Sequence, residues 1–233
     1  MEALFDSVML ARLQFAGTAL YHYMFVPLSV GFGLILAIFI TKAYRTGDDH
    51  DQALANFWLK LFTGTFAVGV ATGITMEFSF GTNWADYSRF VGYIFGARLA
   101  AEALFAFFLE SVFLGVLLFG KGRVSDKTIV VSGWLVWAGS CLSALWIIIA
   151  NSWMQTPAGY EIVTKANGTT QAVLTDFFAA AFNPSTLARY SHGILALLIT
   201  GALVCIAIGA YYLRKGRESK YSMAMVKYGT IVG

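Results

Sequence analysis

Long apolar runs broken by short charged ones set the character of this chain. No Asp, Glu, Lys or Arg occurs from Phe15 to Thr41, from Thr128 to Gln155, or from Tyr190 to Leu213. A hydrocarbon core of roughly 30 Å takes about 20 helical residues to cross, so each run predicts a transmembrane helix. Two further spans are predicted at Phe57–Phe78, with Lys60 and Glu77 near its ends, and at Phe95–Phe119, which carries Glu102 and Glu110. In chain order the expected spans are Phe15–Thr41, Phe57–Phe78, Phe95–Phe119, Ile129–Ser152 and Leu187–Leu213, and a sixth begins near Tyr221 and stops at Gly233. The predicted fold is all-α: a polytopic transmembrane helical bundle of five full spans plus the start of a sixth, with residues 1–233 as a single membrane domain. No soluble domain, internal repeat or low-complexity segment interrupts it.

Composition agrees with this reading. The chain is 58% hydrophobic and 12% charged, against about a quarter charged in soluble domains. A net charge of +3 spread over short clusters does not suggest a nucleic-acid partner. Those clusters instead orient the bundle. Lys42, Arg45, Lys60, Lys121, Arg123, Lys127, Arg214, Lys215, Arg217 and Lys220 are ten of the sixteen basic residues, and all lie in alternate connections except Lys60, which opens the second span beside one. The positive-inside rule assigns these connections to the cytoplasm and the N-terminus and the Pro157–Arg189 loop to the outside. Trp84, Tyr87, Trp153 and Tyr160 then fall at the outer boundary, as an interfacial aromatic belt would. Glu2 and Asp6 stand where a signal peptide would carry basic residues, so the first span is expected to remain in the mature protein. Cys141 and Cys205 lie within apolar runs and read as reduced packing residues.

Few side chains in the spans can carry chemistry. His50 sits in the acidic loop Asp48-Asp49-His50-Asp51 and reads as solvated. His22 and His192 lie inside spans, where ionisable groups are costly and are functional candidates. The bland alternative is a neutral histidine bonded to a neighbouring helix. Both lie about 7–11 Å below the outer surface at ~1.5 Å per residue, and two histidines at one depth on separate helices suit axial ligation of haem. Zinc would require more nitrogen or sulfur ligands nearby. Pro27, five residues after His22, removes a backbone donor and is expected to bend the first span. On a continuous helix Glu102 and Glu110 are about 80° apart with ~12 Å of rise, so they share a broad face. Buried carboxyls in series suggest a proton path; pairing with basic residues of other helices is the alternative. Arg12, Glu77, Arg98 and Arg189 lie near the outer ends of spans. Snorkelling accounts for them, but Arg12 also offers a fork for an anionic haem propionate.

These residues stand within longer motifs. Arg12-Leu-Gln-Phe15, Tyr21-His22, Gly69-Val-Ala-Thr-Gly73, Thr75-Met-Glu-Phe78, Phe80-Gly-Thr-Asn-Trp84, Ala106-Phe-Phe-Leu-Glu-Ser111, Leu142-Ser-Ala-Leu-Trp146 and Asn151-x-Trp-Met-Gln155 resemble, in order over nearly the whole chain, subunit I of cytochrome bd-type quinol oxidases. The resemblance implies an enzyme of the bacterial cytoplasmic membrane that oxidises quinol and reduces dioxygen to water. It implies three cofactors near the outer face: a low-spin haem b, a high-spin haem b and haem d. His192 matches the histidine ligand of the low-spin haem. His22 matches a ligand of a high-spin haem, and family members differ over which one. Glu102 and Glu110 match carboxyls of the proton path and haem pocket, Ser111 and Ser143 match hydroxyls along that path, and Arg12 and Glu77 are carried as cofactor-binding residues. The family's methionine ligand, a further high-spin ligand and the quinol loop lie beyond the sixth span. The expected partners are therefore the remaining half of this subunit, a second oxidase subunit, small accessory subunits, quinol, dioxygen and the bilayer.

Two other readings compete. A di-haem electron-transfer cytochrome without oxygen chemistry would account for His22 and His192 but not for Glu102 and Glu110. A proton-coupled transporter or channel would account for the carboxyls and leave the histidines idle.

Overall fold

The computed structural model describes residues 6–102, 106–217 and 219–233, and only the backbone of residues 95, 97–102 and 219. Its elements are α1 (Ser7–Tyr23), α2 (Val26–Thr46), α3 (Asp49–Gly81), α4 (Ala85–Glu102), α5 (Phe108–Phe119), α6 (Asp126–Gln155), β1 (Tyr160–Thr164), β2 (Thr170–Leu174), α7 (Phe177–Ala181), α8 (Thr186–Arg214) and α9 (Ser219–Val232). Among the described residues four helical units are long and apolar enough to cross a bilayer: the paired α1–α2 over Ser7–Thr46, then α3, α6 and α8. They contain the first, second, fourth and fifth expected spans. The third, Phe95–Phe119, falls on the end of α4, on residues 103–105 outside the described residues, and on α5. The sixth falls on α9.

The first span is broken as its proline requires. Pro27 is the second residue of α2 and has no N–H to return to the preceding turn. Met24 and Phe25 form a tight turn there, closing onto the carbonyls of Tyr21 at 3.2 Å and His22 at 3.0 Å. His22 thus sits at the break itself.

Helix α2 is the centre of the bundle. Its Phe32, Ile35, Leu36, Phe39 and Ile40 are buried against Trp58 and Phe62 of α3, Leu114 and Leu117 of α5, Val136 of α6, Cys205 of α8 and Met225 of α9. A helix apolar on all sides is buried on all sides. Where α2 crosses α8, glycine meets glycine: a Cβ on Gly31 would lie 2.6 Å from the Cα of Gly201. Small residues of this kind bring membrane helices together, because lipid offers no hydrophobic drive between them.

One end of the bundle carries the basic connections. There Gly47, at φ +61°, closes α2 in the left-handed conformation, and the Asp48 side chain caps α3 through the His50 N–H at 2.8 Å. Buried Asp51 accepts from Lys42 and from the Thr46 hydroxyl. Lys220 donates to Asp48 and His50 meets Tyr221 at 3.0 Å, tying α9 to the α2–α3 turn.

The opposite end carries a two-stranded antiparallel hairpin in the Pro157–Arg189 loop, pairing Tyr160 with Leu174 through to Thr164 with Thr170. Its turn contains Asn167 and Gly168, the latter at φ +80°, where a side chain would be strained. The hairpin was not predicted. It packs through Ala172 on a small cluster of Val91, Ile94, Trp153 and Ala180, and Gln171 bonds the Arg89 carbonyl of α4 at 3.2 Å.

Candidate functional site

His22 is half-buried and packs on one stretch of α3. Its Nδ1 lies 2.9 Å from the Thr72 hydroxyl. A Cβ on Gly73 would lie 3.2 Å from its Cε1, and one on Gly69 3.8 Å from the Cβ of Phe25 in the turn below. The Gly69–Gly73 motif therefore forms a smooth seat for the α1–α2 break. Nε2 of His22 has no hydrogen-bond partner among the described residues.

His192 lies six residues past the start of α8, on an exposed face, and neither of its ring nitrogens has a hydrogen-bond partner among the described residues. Gly193 beside it packs on Ile148 of α6. The first turn of α8 is fixed by a buried polar knot: Ser152 Oγ meets Thr186 Oγ1 at 2.8 Å and accepts from Asn183 Nδ2 at 3.0 Å, and Thr156 donates to Asn183 Oδ1 at 2.8 Å. A buried network that is satisfied in this way is rigid, so the helix bearing His192 leaves α6 in a set direction.

Glu110 is buried in the first turn of α5, at 6% exposure. It faces α6 at Gly139, where a Cβ would lie only 2.6 Å from its Cγ, so any larger residue there would push the carboxyl stem aside. Ser143 lies four residues further along α6, about 6 Å by helical rise, and half-buried Ser111 follows Glu110. The Tyr190 hydroxyl donates to the Cys141 carbonyl at 3.2 Å. Tyr190 is two residues before His192 on α8.

Glu102 closes α4, but its side chain lies outside the described residues. Residues 103–105 lie outside them too, and Ala106 and Phe107 continue in a π-helical turn. The expected 80° and 12 Å between Glu102 and Glu110 assumed one regular α-helix, and the π-type turn departs from it. Arg98 also lies beyond the described side chains. Glu77 is on an exposed face of α3. A cleft of about 340 Å³ opens at the basic end, lined in part by Asp49, Gln52, Asn56, Lys121 and Asp126, and reaches Leu117. Leu117 is seven residues beyond Glu110 on α5, about 10 Å.

Arg12 is exposed on α1. The α3–α4 turn clamps its helix: Asn83 Nδ2 donates to the Ala11 carbonyl at 3.4 Å and to Gln14 Oε1 at 3.2 Å, and the Trp84 ring meets Phe15 edge-on at 5.5 Å. Arg12 and Phe15 are three apart and share a helix face. Among the described residues Trp84 Nε1 is buried without a hydrogen-bond partner, as is the Tyr87 hydroxyl three residues on. Neither donor was singled out for chemistry from the sequence, where both read as interfacial aromatics. An unsatisfied buried donor costs about 1–3 kcal/mol, so the Trp84 N–H calls for an acceptor that the described residues do not supply.

These features fit haem. Two imidazoles each keep a nitrogen available for iron, and an arginine and an unpartnered indole N–H near Phe15 suit an anionic propionate. Among the described residues no three His, Cys, Asp or Glu side chains converge as a metal site.

Fold and site together define a polytopic membrane subunit that presents imidazoles and a buried carboxyl within its own bundle. Residues 10–233 match the family described as cytochrome bd terminal oxidase subunit I, and the chain belongs to that family. It is 46% identical over 230 residues to cytochrome bd-II ubiquinol oxidase subunit 1 of Escherichia coli (strain K12), covering 99% of this chain and 44% of that protein. It is 43% identical over 228 residues to cytochrome bd ubiquinol oxidase subunit 1 of Bacillus subtilis (strain 168), covering 98% and 48%. The solved bd oxidase of Geobacillus thermodenitrificans superposes with a TM-score of 0.87 at 31% identity, over 97% of this chain and 51% of that one. The chain thus spans about half the length of the relatives it matches.

Proposed function

We propose that this chain is the haem-bearing part of a terminal oxidase subunit that oxidises quinol and reduces dioxygen to water. The observation that carries the reading is the pair of intramembrane imidazoles, His22 and His192, each with a ring nitrogen unpartnered among the described residues. A protein that keeps such groups inside a bilayer pays for them unless a ligand takes them up.

In this reading His192 binds a low-spin haem b and His22 a high-spin haem, either haem b or haem d. The bound iron supplies the electron transfer and oxygen chemistry. The protein's own work is placement and proton handling. The Ser152–Asn183–Thr186 knot fixes the helix that carries His192. Arg12 and the Trp84 N–H hold propionates, with Glu77 on the same side of the bundle. Glu110 takes protons from the cleft at the basic end and passes them along Ser111 and Ser143 toward Glu102 and the oxygen-reducing haem. About 10 Å separates Leu117 in the cleft from Glu110, too far for one transfer between groups at ~2.6–3.2 Å, so water completes the route. The basic end faces the cytoplasm and the hairpin end and N-terminus face outside. Protons drawn from one side and quinol protons released on the other then build a gradient without a pump. The remaining half of the subunit, a second subunit and small accessory subunits complete the enzyme in the bacterial cytoplasmic membrane.

The test is the reduced-minus-oxidised visible spectrum of the purified complex. It should contain b-type bands and the long-wavelength band of a chlorin. His192→Ala should abolish the low-spin b band and keep the chlorin band; an unchanged low-spin band refutes the assignment. Cysteines at positions 123 and 165 should label from opposite sides of sealed vesicles, and labelling from one side refutes the orientation.

A further inference from the structure

We infer that Thr72 is a positioning residue for the haem iron: it sets the tautomer and the ring plane of His22, so that Nε2 faces the metal with its lone pair exposed. The inference rests on the reading of His22 as an iron ligand and goes beyond it, since it assigns a role to a hydroxyl on another helix.

The chemistry follows from counting hydrogens. The Thr72 hydroxyl lies 2.8 Å from the Val68 carbonyl and 3.0 Å from the Gly69 carbonyl, one turn back on its own helix. A hydroxyl owns one hydrogen, and carbonyls only accept. Threonine in a helix usually gives its hydrogen to that turn, and toward His22 the Thr72 oxygen is then an acceptor. Nδ1 of His22, 2.9 Å away, carries the proton in this arrangement, and the Gly69 backbone is a second hydrogen-bond partner of the same imidazole. In a neutral imidazole this leaves Nε2 as the basic nitrogen, the one with no partner among the described residues. An imidazole that donates through one nitrogen is a stronger ligand through the other, and its ring is held in one plane.

The surroundings allow no easy substitute. His22 is in the last turn of α1, where the Phe25 N–H donates to the His22 carbonyl at 3.0 Å, so the helix that carries it stops one residue on. The ring orientation therefore depends on what α3 offers. Gly73 lies against Cε1, the carbon between the two nitrogens, at a distance where a methyl would press on the ring. Thr72 holds one edge of the imidazole and Gly73 leaves the next edge room.

The test uses the purified holo-complex and two readouts besides turnover: haem content, and the iron–histidine stretching band of the reduced high-spin haem in resonance Raman spectra. Thr72→Val keeps the side-chain shape and removes the acceptor. It should shift that band to lower frequency and weaken haem retention by about 10–100-fold, the usual effect of losing such an outer partner. Thr72→Ser should restore both. If Thr72→Val fails to assemble, Thr72→Ala serves the same comparison. His22→Ala separates the two layers of the reasoning. Loss of the band in His22→Ala with a wild-type band in Thr72→Val (or Thr72→Ala) overturns the role of Thr72 and leaves the ligand assignment standing. A wild-type band in His22→Ala overturns the ligand assignment, and the inference falls with it.

Discussion

The close backbone crossing of α2 and α8 gives a sharp perturbation, Gly201→Ala. A Cβ there would sit 2.5 Å from the Cα and 2.8 Å from the carbonyl carbon of Gly31, whereas ordinary contact begins at 3.4 Å. The obstacle is backbone, so no rotamer change relieves it. Helices α2 and α8 must separate by about 1 Å at the crossing, and overpacking of this kind costs typically 1–3 kcal/mol. The displacement also travels. His192 is nine residues from Gly201, about 13 Å along α8, so a shift at the crossing moves the imidazole. Misplacement by ~1 Å at a reacting centre can cost about 100-fold in rate. The assay is heat denaturation of the purified complex, followed by low-spin haem absorbance. Gly201→Ala should lower the midpoint and loosen the haem. The control is Gly64→Ala in α3, where a Cβ meets nothing within 4 Å; it should be neutral or stabilise by roughly 0.5–1 kcal/mol, since alanine suits a helix better than glycine. Gly31→Ala crowds the same crossing, so the double variant should depart from additivity by about 0.5–3 kcal/mol. Equal midpoints for Gly201→Ala and Gly64→Ala would refute the reasoning.

Two further outcomes are expected. Glu110→Gln keeps the Cγ that lies against Gly139 and removes the exchangeable acid, so haem spectra should persist while oxygen consumption falls by about 100-fold or more; wild-type turnover with wild-type proton uptake would make Glu110 structural. At the basic end, the Lys220 side chain holds Asp48 below its ordinary pKa, and Asp48 in turn raises that of Lys220. A lowered carboxyl stabilises above its unfolded value and stops doing so as pH falls through the lowered one. A raised ammonium stabilises below its unfolded value and stops doing so as pH climbs through the raised one. Hydrogen-exchange protection of the α2–α3 turn should therefore be level from about pH 5 to 9 and fall on both sides, and Lys220→Met should lose it throughout; a flat profile in that variant equal to wild type would count against the contact.

The spans were legible because a charge-free run of bilayer length has few other uses. Where the pattern was weaker, so was the reading. The apolar pattern of the third span predicts one helix over Phe95–Phe119, whereas α4 begins at Ala85, ten residues before the first expected residue, and a π-type turn at 106–107 precedes α5. Period alone cannot reveal a change of helical pitch. Asn167-Gly168 between Thr- and Val-containing stretches is a recognised hairpin signal, but the two strands are only five residues each and stand out little beside the apolar runs. His22, His192 and Glu110 were visible as polar residues in apolar surroundings. Thr72 was not, because threonine in a membrane helix usually bonds its own preceding turn, and here it does so while also meeting His22. Trp84 and Tyr87 read as interfacial aromatics, since burial of their donors is a tertiary fact.

Glycine links the packing of this bundle to its chemistry. In water, apolar burial would drive the helices together whatever their surface detail. In lipid that drive is absent, and close approach through small residues takes its place. The chain uses such approaches where polar side chains must be placed. Gly73 receives the edge of the His22 ring, Gly139 receives the stem of Glu110, and the Gly31–Gly201 crossing sets the helix that bears His192. Each is a steric allowance rather than an attraction. Adding a methyl would therefore displace a functional group, or the helix that carries it, before it removed any contact. Variants at these glycines should separate into two kinds. At Gly73 and Gly139 the neighbour is a side chain that can yield by torsion, so the spectrum or proton uptake should change more than stability. At Gly31 and Gly201 the neighbour is backbone, so stability and haem retention should fall together. Haem spectra and denaturation midpoints measured on the same set of four alanine variants distinguish these patterns, and a uniform loss of stability across all four would show that the glycines serve packing alone.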